Sequence, residues 1–174
     1  DAQPVTQSGT QNLARAMEAH CLRLLLRKPE NLYTLDRALQ AAGLSRFSPQ
    51  DFENAEHQAL AKFVIDALGQ DQMEPQHYIQ EQTPEGLSDL QAELLAPMPK
   101  GEPSESQRIE NFLQTIVKLR LIRVNEGINQ MRFMQEDIQE QSDATLMPYR
   151  ELLPQYIQAR VRLEIALSKP FRLD

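Results

Sequence analysis

The side chains best suited to chemistry form two short clusters that contain histidine. His20 and Cys21 are adjacent and of types that bind zinc, but neighbouring residues of a helix point about 100° apart and no third ligand is evident. The sequence therefore favours Cys21 as a small core residue with His20 at the rim. Glu53 and His57 are four residues apart, with Glu56 between them, and can pair on one helical face. No nucleophile, cofactor motif or cleft accompanies them, which favours a structural role.

The usual motifs of catalytic sites are missing from the sequence. There is no G-x-G-x-x-G, Walker loop, H-E-x-x-H, G-x-S-x-G, C-x-x-C or D-x-D pattern. The single Cys excludes a disulfide framework and a cysteine-based zinc site within one chain. We therefore expect a chain that is not an enzyme and that holds no cofactor and no metal.

The charge pattern argues against a generally basic nucleic-acid binder. The net charge is −7, and residues 1–99 carry 7 Lys or Arg against 14 Asp or Glu, whereas residues 100–174 carry 11 of each. This asymmetry predicts two regions with different surroundings. Lys118, Arg120 and Arg123 can touch phosphate, but three scattered cations on an acidic chain favour a solvated helix face.

The elements that position these residues are predicted to be helices, because the chain is rich in Leu, Gln, Glu and Ala. Residues 1–10 are polar and are expected to be the end of a linker. Short helices, bounded by Pro, Gly or capping residues, are predicted over 10–28, 30–42, 49–68 with a kink near 54, 76–82 and 87–95. The apolar face of the first helix is expected to carry Leu13, Met17, Leu24 and Leu25, and the predicted core includes Leu22, Leu25, Phe52, Leu60 and Val64.

The strongest break in the chain is the Pro- and Gly-rich segment 96–105. A long amphipathic helix is predicted from about 104 to 141, followed by a turn at 142–148 and a final helix over 148–168. A short turn between two amphipathic helices favours an antiparallel hairpin. The fold class is therefore all-α, with a helical bundle over 11–122 and a C-terminal hairpin over 123–174.

Apolar side chains remain on the hairpin after its two helices cover each other. Such residues suit an adaptable binding surface, and the alternative is that they pack back on the bundle. The residues expected to contact a partner are Phe133, Tyr149, Leu152, Tyr156, Ile157, Val161, Ile165 and Phe171.

Several stretches resemble the C-terminal domain of bacterial DnaG-type DNA primases. The run HCLRLLLRKPE at 20–30 is similar to the opening helix of that domain, and LSRFSPQDF at 44–52 with EHQAL at 56–60 resembles its next segment. The resemblance covers about residues 13–141, and the last helix follows in position more than in sequence.

The resemblance implies a helicase-binding domain, in which a small helical bundle is followed by a helical hairpin. It further implies a cytoplasmic protein, monomeric alone, that binds the N-terminal domain of the replicative helicase and recruits primer synthesis to the fork. Because the chain begins with Asp1, we expect a piece of a longer protein, with the catalytic domains upstream. Two alternatives stay open: the N-terminal collar domain of a replicative helicase, or a helical module that binds single-stranded nucleic acid.

Overall fold

The computed structural model describes residues 5–97, 101–138 and 143–174, apart from the side chains of 5–8, 10, 137–138 and 143–149. The fold is all-α, as predicted, and no strand occurs among these residues. Their α-helices are α1 Val5–Arg27, α2 Asn31–Ala41, α3 Ala55–Leu68, α4 Pro75–Gln82, α5 Glu85–Leu95, α6 Glu105–Ile138 and α7 Asp143–Leu167. A short 3₁₀ helix, Pro49–Asp51, precedes α3.

Local sequence signals set the ends of the short helices. Gly43 has φ +77°, the left-handed conformation that favours glycine, and the next residue donates its N–H back to the carbonyl of Leu39. Ser48 caps the 3₁₀ helix. Its hydroxyl oxygen accepts the backbone N–H of Gln50, and its own N–H donates to Asp51 Oδ2 at 3.0 Å. These ends agree with the positions predicted from the sequence.

The chain forms two compact units. The first runs to Ile116 and includes Phe171–Asp174, and the second is Val117–Pro170. The division thus falls within α6, slightly before the predicted boundary at 122, and residues 171–174 belong to the first unit instead of the second.

The core of the first unit contains every side chain that the sequence placed there. Leu22, Leu25, Phe52, Leu60 and Val64 are all fully buried. Phe47 makes edge-to-face contacts with Phe52 and with Phe112, at centroid distances of 5.3 and 5.7 Å. The start of α6 is therefore part of this aromatic core.

The buried face of α1 differs from the one that the sequence predicted. Leu13 is exposed, and the fully buried positions of this helix include Cys21, Leu22 and Leu25. Helix α1 also begins at Val5, so residues 5–10, expected as linker, are helical. A single Gly9 costs a helix only about 1 kcal/mol, which the buried later part of α1 offsets.

Helix α7 begins earlier than predicted, since residues 143–147, expected as part of a turn, are helical. Pro148 lies inside the helix, not at its start. A proline removes one helical hydrogen bond, and helix can continue on both sides of it. None of the helices in the described parts of the chain is long and apolar enough to cross a membrane.

Candidate functional site

The contact that organises the second unit joins Gly127 of α6 to Tyr156 of α7. A Cβ added to Gly127 would lie 2.9 Å from Cε1 and 3.0 Å from Cζ of the Tyr156 ring. The ring therefore fills the space that a side chain would take. Tyr156 was predicted to contact a partner, and its ring is instead half-buried against the neighbouring helix.

An exposed apolar row lies on another face of α7. Ile157, Val161 and Ile165 are spaced four residues apart, which places them along one side of a helix. Val161 is 46% exposed and Ile165 is 54% exposed, while Ile157 is half-buried. Ile165 follows Tyr156 by about 2.5 turns, so it points to the opposite side. We call Ile157, Val161 and Ile165 the α7 stripe.

Charged side chains border the α7 stripe. Arg162 and Glu164 are exposed, and Arg160 is half-buried. Three β-branched side chains surrounded by charges of both signs form an apolar strip with a polar rim. This is the arrangement found at the centre and edge of protein interfaces.

The remaining predicted contact residues fall in different places. Phe133 and Leu152 are exposed, as is the neighbouring Met134. The side chain of Tyr149 lies outside the described residues. Phe171 is a correction, because it is only 9% exposed and belongs to the first unit. It is therefore not part of the surface of the second unit.

His57 pairs with Glu18, not with Glu53. The helix begins only at Ala55, so Glu53 lies ahead of it and cannot share its face. Glu18 Oε2 lies 3.3 Å from His57 Nδ1, and Glu18 Oε1 accepts the backbone N–H groups of Glu53 and Asn54. Both side chains of the pair are almost completely buried. The carboxylate thus anchors the start of α3 to α1.

His20 and Cys21 lie in different surroundings. Cys21 is fully buried, and its burial, together with the charges of Glu18 and Asp51, raises the pKa of its thiol well above 9.0. Burial, followed by the charge of Arg23, lowers the pKa of the half-buried His20. The part of the chain that the structure describes holds no group of three or more His, Cys, Asp or Glu side chains that could bind a metal.

One cluster escaped the sequence analysis. Arg23, Arg27 and Lys28 at the end of α1 share a cavity with Arg108 of α6. The spacing of Arg23 and Arg27, four residues apart, is a local signal that both lie on one face. Nothing local points to Arg108, because it reaches the cavity only through the packing of α6 on α1.

Comparisons with known proteins add no relative. No protein-family model, curated protein or solved structure matches the chain. The resemblance to primase C-terminal domains is carried by the quoted stretches alone.

Proposed function

We propose that this chain is a non-catalytic interaction domain, the C-terminal helicase-binding domain of a bacterial DnaG-type primase. The observation that carries the proposal is the exposed α7 stripe on a helix whose opposite side is already occupied by Tyr156. A helix with two apolar sides, one of them open to solvent, suits a protein that docks on a partner.

The second unit acts in this proposal as an antiparallel hairpin. Gly127 and Tyr156 lie at similar distances along the chain from the connection at 139–142, as two helices that double back on each other require. Ile128 and Leu163, near the same seam, are buried. These residues give the hairpin its own small core, which leaves the α7 stripe free for docking.

The partner in this proposal is the N-terminal domain of the replicative helicase. Fully burying an exposed Val or Ile side chain contributes about 1.5–3 kcal/mol, and because the three side chains of the α7 stripe are already about half-buried, docking gains only part of that from each. The bundle of the first unit adds secondary contacts. Docking tethers the primer-synthesising domains near unwound template, where effective concentrations reach about the millimolar range.

Sedimentation of the purified chain distinguishes this function from its two rivals. The proposal expects a monomer alone and a complex with purified replicative helicase. A helicase collar domain would instead self-associate without added partner. A single-strand binder would sediment with a single-stranded oligonucleotide at low salt, and its affinity for the oligonucleotide would fall steeply as the salt concentration is raised. Either of the last two results, without a helicase complex, would contradict the proposal.

A further inference from the structure

The end of α1 and the start of α6, both in the first unit, enclose a cavity of about 110 Å³ with a strongly cationic wall. Four of its side chains are positively charged: Arg23, Arg27, Lys28 and Arg108. The side chain of Leu24 supplies an apolar wall. This concentration of cations is unexpected, because the region up to residue 99 is predominantly acidic.

Two of the arginines are held in place by one carboxylate. Glu102 Oε1 accepts from Arg27 Nη1 at 2.9 Å, and Glu102 Oε2 accepts from Arg108 Nη1 at 3.2 Å. Arg27 Nη2 also donates to the carbonyl of Ala96 at 2.8 Å. The guanidinium groups are therefore positioned before any ligand arrives, which lowers the entropy that binding must overcome.

Three polar groups of the cavity have no described partner. The Nε of Arg108 is buried and makes no hydrogen bond. Within the described residues, Arg23 makes neither a hydrogen bond nor an ion pair, and the side-chain amide of Asn31, a residue only 6% exposed, makes no hydrogen bond. Of these groups, only the Arg108 Nε is a buried donor without a partner, which costs about 1–3 kcal/mol, so an acceptor placed beside it would recover that energy.

The local charge balance favours an anion of charge −2. Glu102 neutralises one of the four cations, and Glu105 neutralises a second through its 2.7 Å contact with Lys28. Hydrogen bonding to Lys28 lowers the pKa of the Glu105 carboxyl, which is therefore ionised at neutral pH. Two positive charges remain without a carboxylate, and burial lowers the pKa of the half-buried His20 beside them, which disfavours its charged form.

We propose that this cavity binds a phosphate dianion, either inorganic phosphate or the terminal phosphate of a small ester. The free donors of Arg23, Arg108 and Asn31 match the several acceptor oxygens of such a group, and arginine binds phosphate through paired donors. A backbone phosphodiester of nucleic acid carries a single charge and would leave one cation unmatched. The site is independent of the α7 stripe and of the partner proposed for it.

Calorimetric titration of the intact chain at pH 8 with inorganic phosphate, and separately with a nucleoside monophosphate, tests the proposal. We expect saturable binding of at least one probe with a dissociation constant below about 1 mM. Equal affinities would show that the cavity recognises the phosphate group alone, and tighter binding of the nucleotide would show that the rest of an ester adds to the binding.

Two variants and one matched control locate the site. Arg23→Gln removes a cation that holds no described residue in place, so it should fold and weaken binding about tenfold or more. Arg108→Lys keeps the charge but removes the free Nε donor, so it should weaken phosphate binding less than Arg23→Gln does. Arg15→Gln removes an exposed arginine of the same helix outside the cavity and should change nothing. Absence of binding by both probes, or binding equally strong in Arg23→Gln and Arg15→Gln, would overturn the proposal.

Discussion

The ring of Tyr156 occupies the position that a side chain at residue 127 would take, with Cε1 2.9 Å and Cζ 3.0 Å from the place of a Cβ. Gly127 is the one glycine of α6, a helix of 34 residues. Glycine weakens a helix, so its position here is explained by the close approach of α7.

Gly127→Ala should therefore destabilise the second unit in spite of its better helix propensity. The substitution gains about 1 kcal/mol of propensity, but overpacking against a ring costs about 1–3 kcal/mol. We expect a net loss in the free energy of unfolding, measured by urea denaturation. In a Tyr156→Ala background the same change should become stabilising by about 1 kcal/mol, because the ring is gone. Stabilisation in both backgrounds would contradict the close contact.

Truncation of the core leucines should be costly. Leu25→Ala and Leu60→Ala each remove a fully buried side chain and should lower the free energy of unfolding by about 2–5 kcal/mol. Leu13→Ala is the matched control on α1, because Leu13 is exposed and should change stability by less than about 0.5 kcal/mol. Similar losses at Leu13 and Leu25 would show that the buried face of α1 is wrongly assigned.

The buried carboxylate of Glu18 should matter more than the exposed one of Glu53. Glu18→Ala leaves two backbone N–H groups and His57 without their acceptor and should cost about 2–5 kcal/mol in the free energy of unfolding. Glu18→Gln keeps one acceptor oxygen and should cost less. Thermal unfolding followed by circular dichroism measures these effects. If Glu53→Gln were as destabilising as Glu18→Ala, the pairing of His57 with Glu18 would be refuted.

The Cys21 thiol should make stability fall at alkaline pH. Its pKa is raised in the folded chain, so above about pH 9 the thiol ionises in the unfolded chain while it stays neutral in the folded one. The free energy of unfolding should then decrease by up to about 1.4 kcal/mol per pH unit from this group. Urea titrations between pH 8 and 10, compared with Cys21→Ala, isolate the effect of the thiol. An identical pH dependence in the two proteins would rule it out.

Local signals allowed the short helices to be predicted well. Ser48, Gly43 and Pro75 act on residues within a few positions of themselves, so their effects can be read directly from the sequence. The core could be predicted because apolar residues at helical spacing must face inward somewhere. The face of α1 was harder, since Leu13 and Leu25 both fit an apolar stripe and only packing against neighbouring helices separates them.

Features that depend on distant residues could not be predicted. Glu18 and His57 are 39 positions apart, and no periodicity links them. Arg108 reaches the cavity at the end of α1 through tertiary packing alone. In the second unit, the sequence grouped Tyr156 with Ile157, Val161 and Ile165, because the direction of each side chain depends on where α6 contacts α7, which no local pattern shows.

Removal of residues 145–174 is a poor test of partner binding, because Phe171 is buried in the first unit and its loss would disturb that unit as well. Point substitutions in the α7 stripe avoid this. Val161→Asp places a charge that must be desolvated in the complex, whereas Gln155→Asp places the same charge at an exposed position of α7 outside the stripe.

The most direct test of the central claim is calorimetric titration of the parent chain and these two variants with the replicative helicase of the source organism. Circular dichroism first establishes that both variants keep the helicity and melting temperature of the parent chain. We predict that the parent chain and Gln155→Asp bind with similar affinity, and that Val161→Asp loses about 2 kcal/mol or more of binding free energy, with a further loss when Ile157→Asp is added. Equal affinities of Val161→Asp and Gln155→Asp, or no binding by the parent chain, would contradict the account.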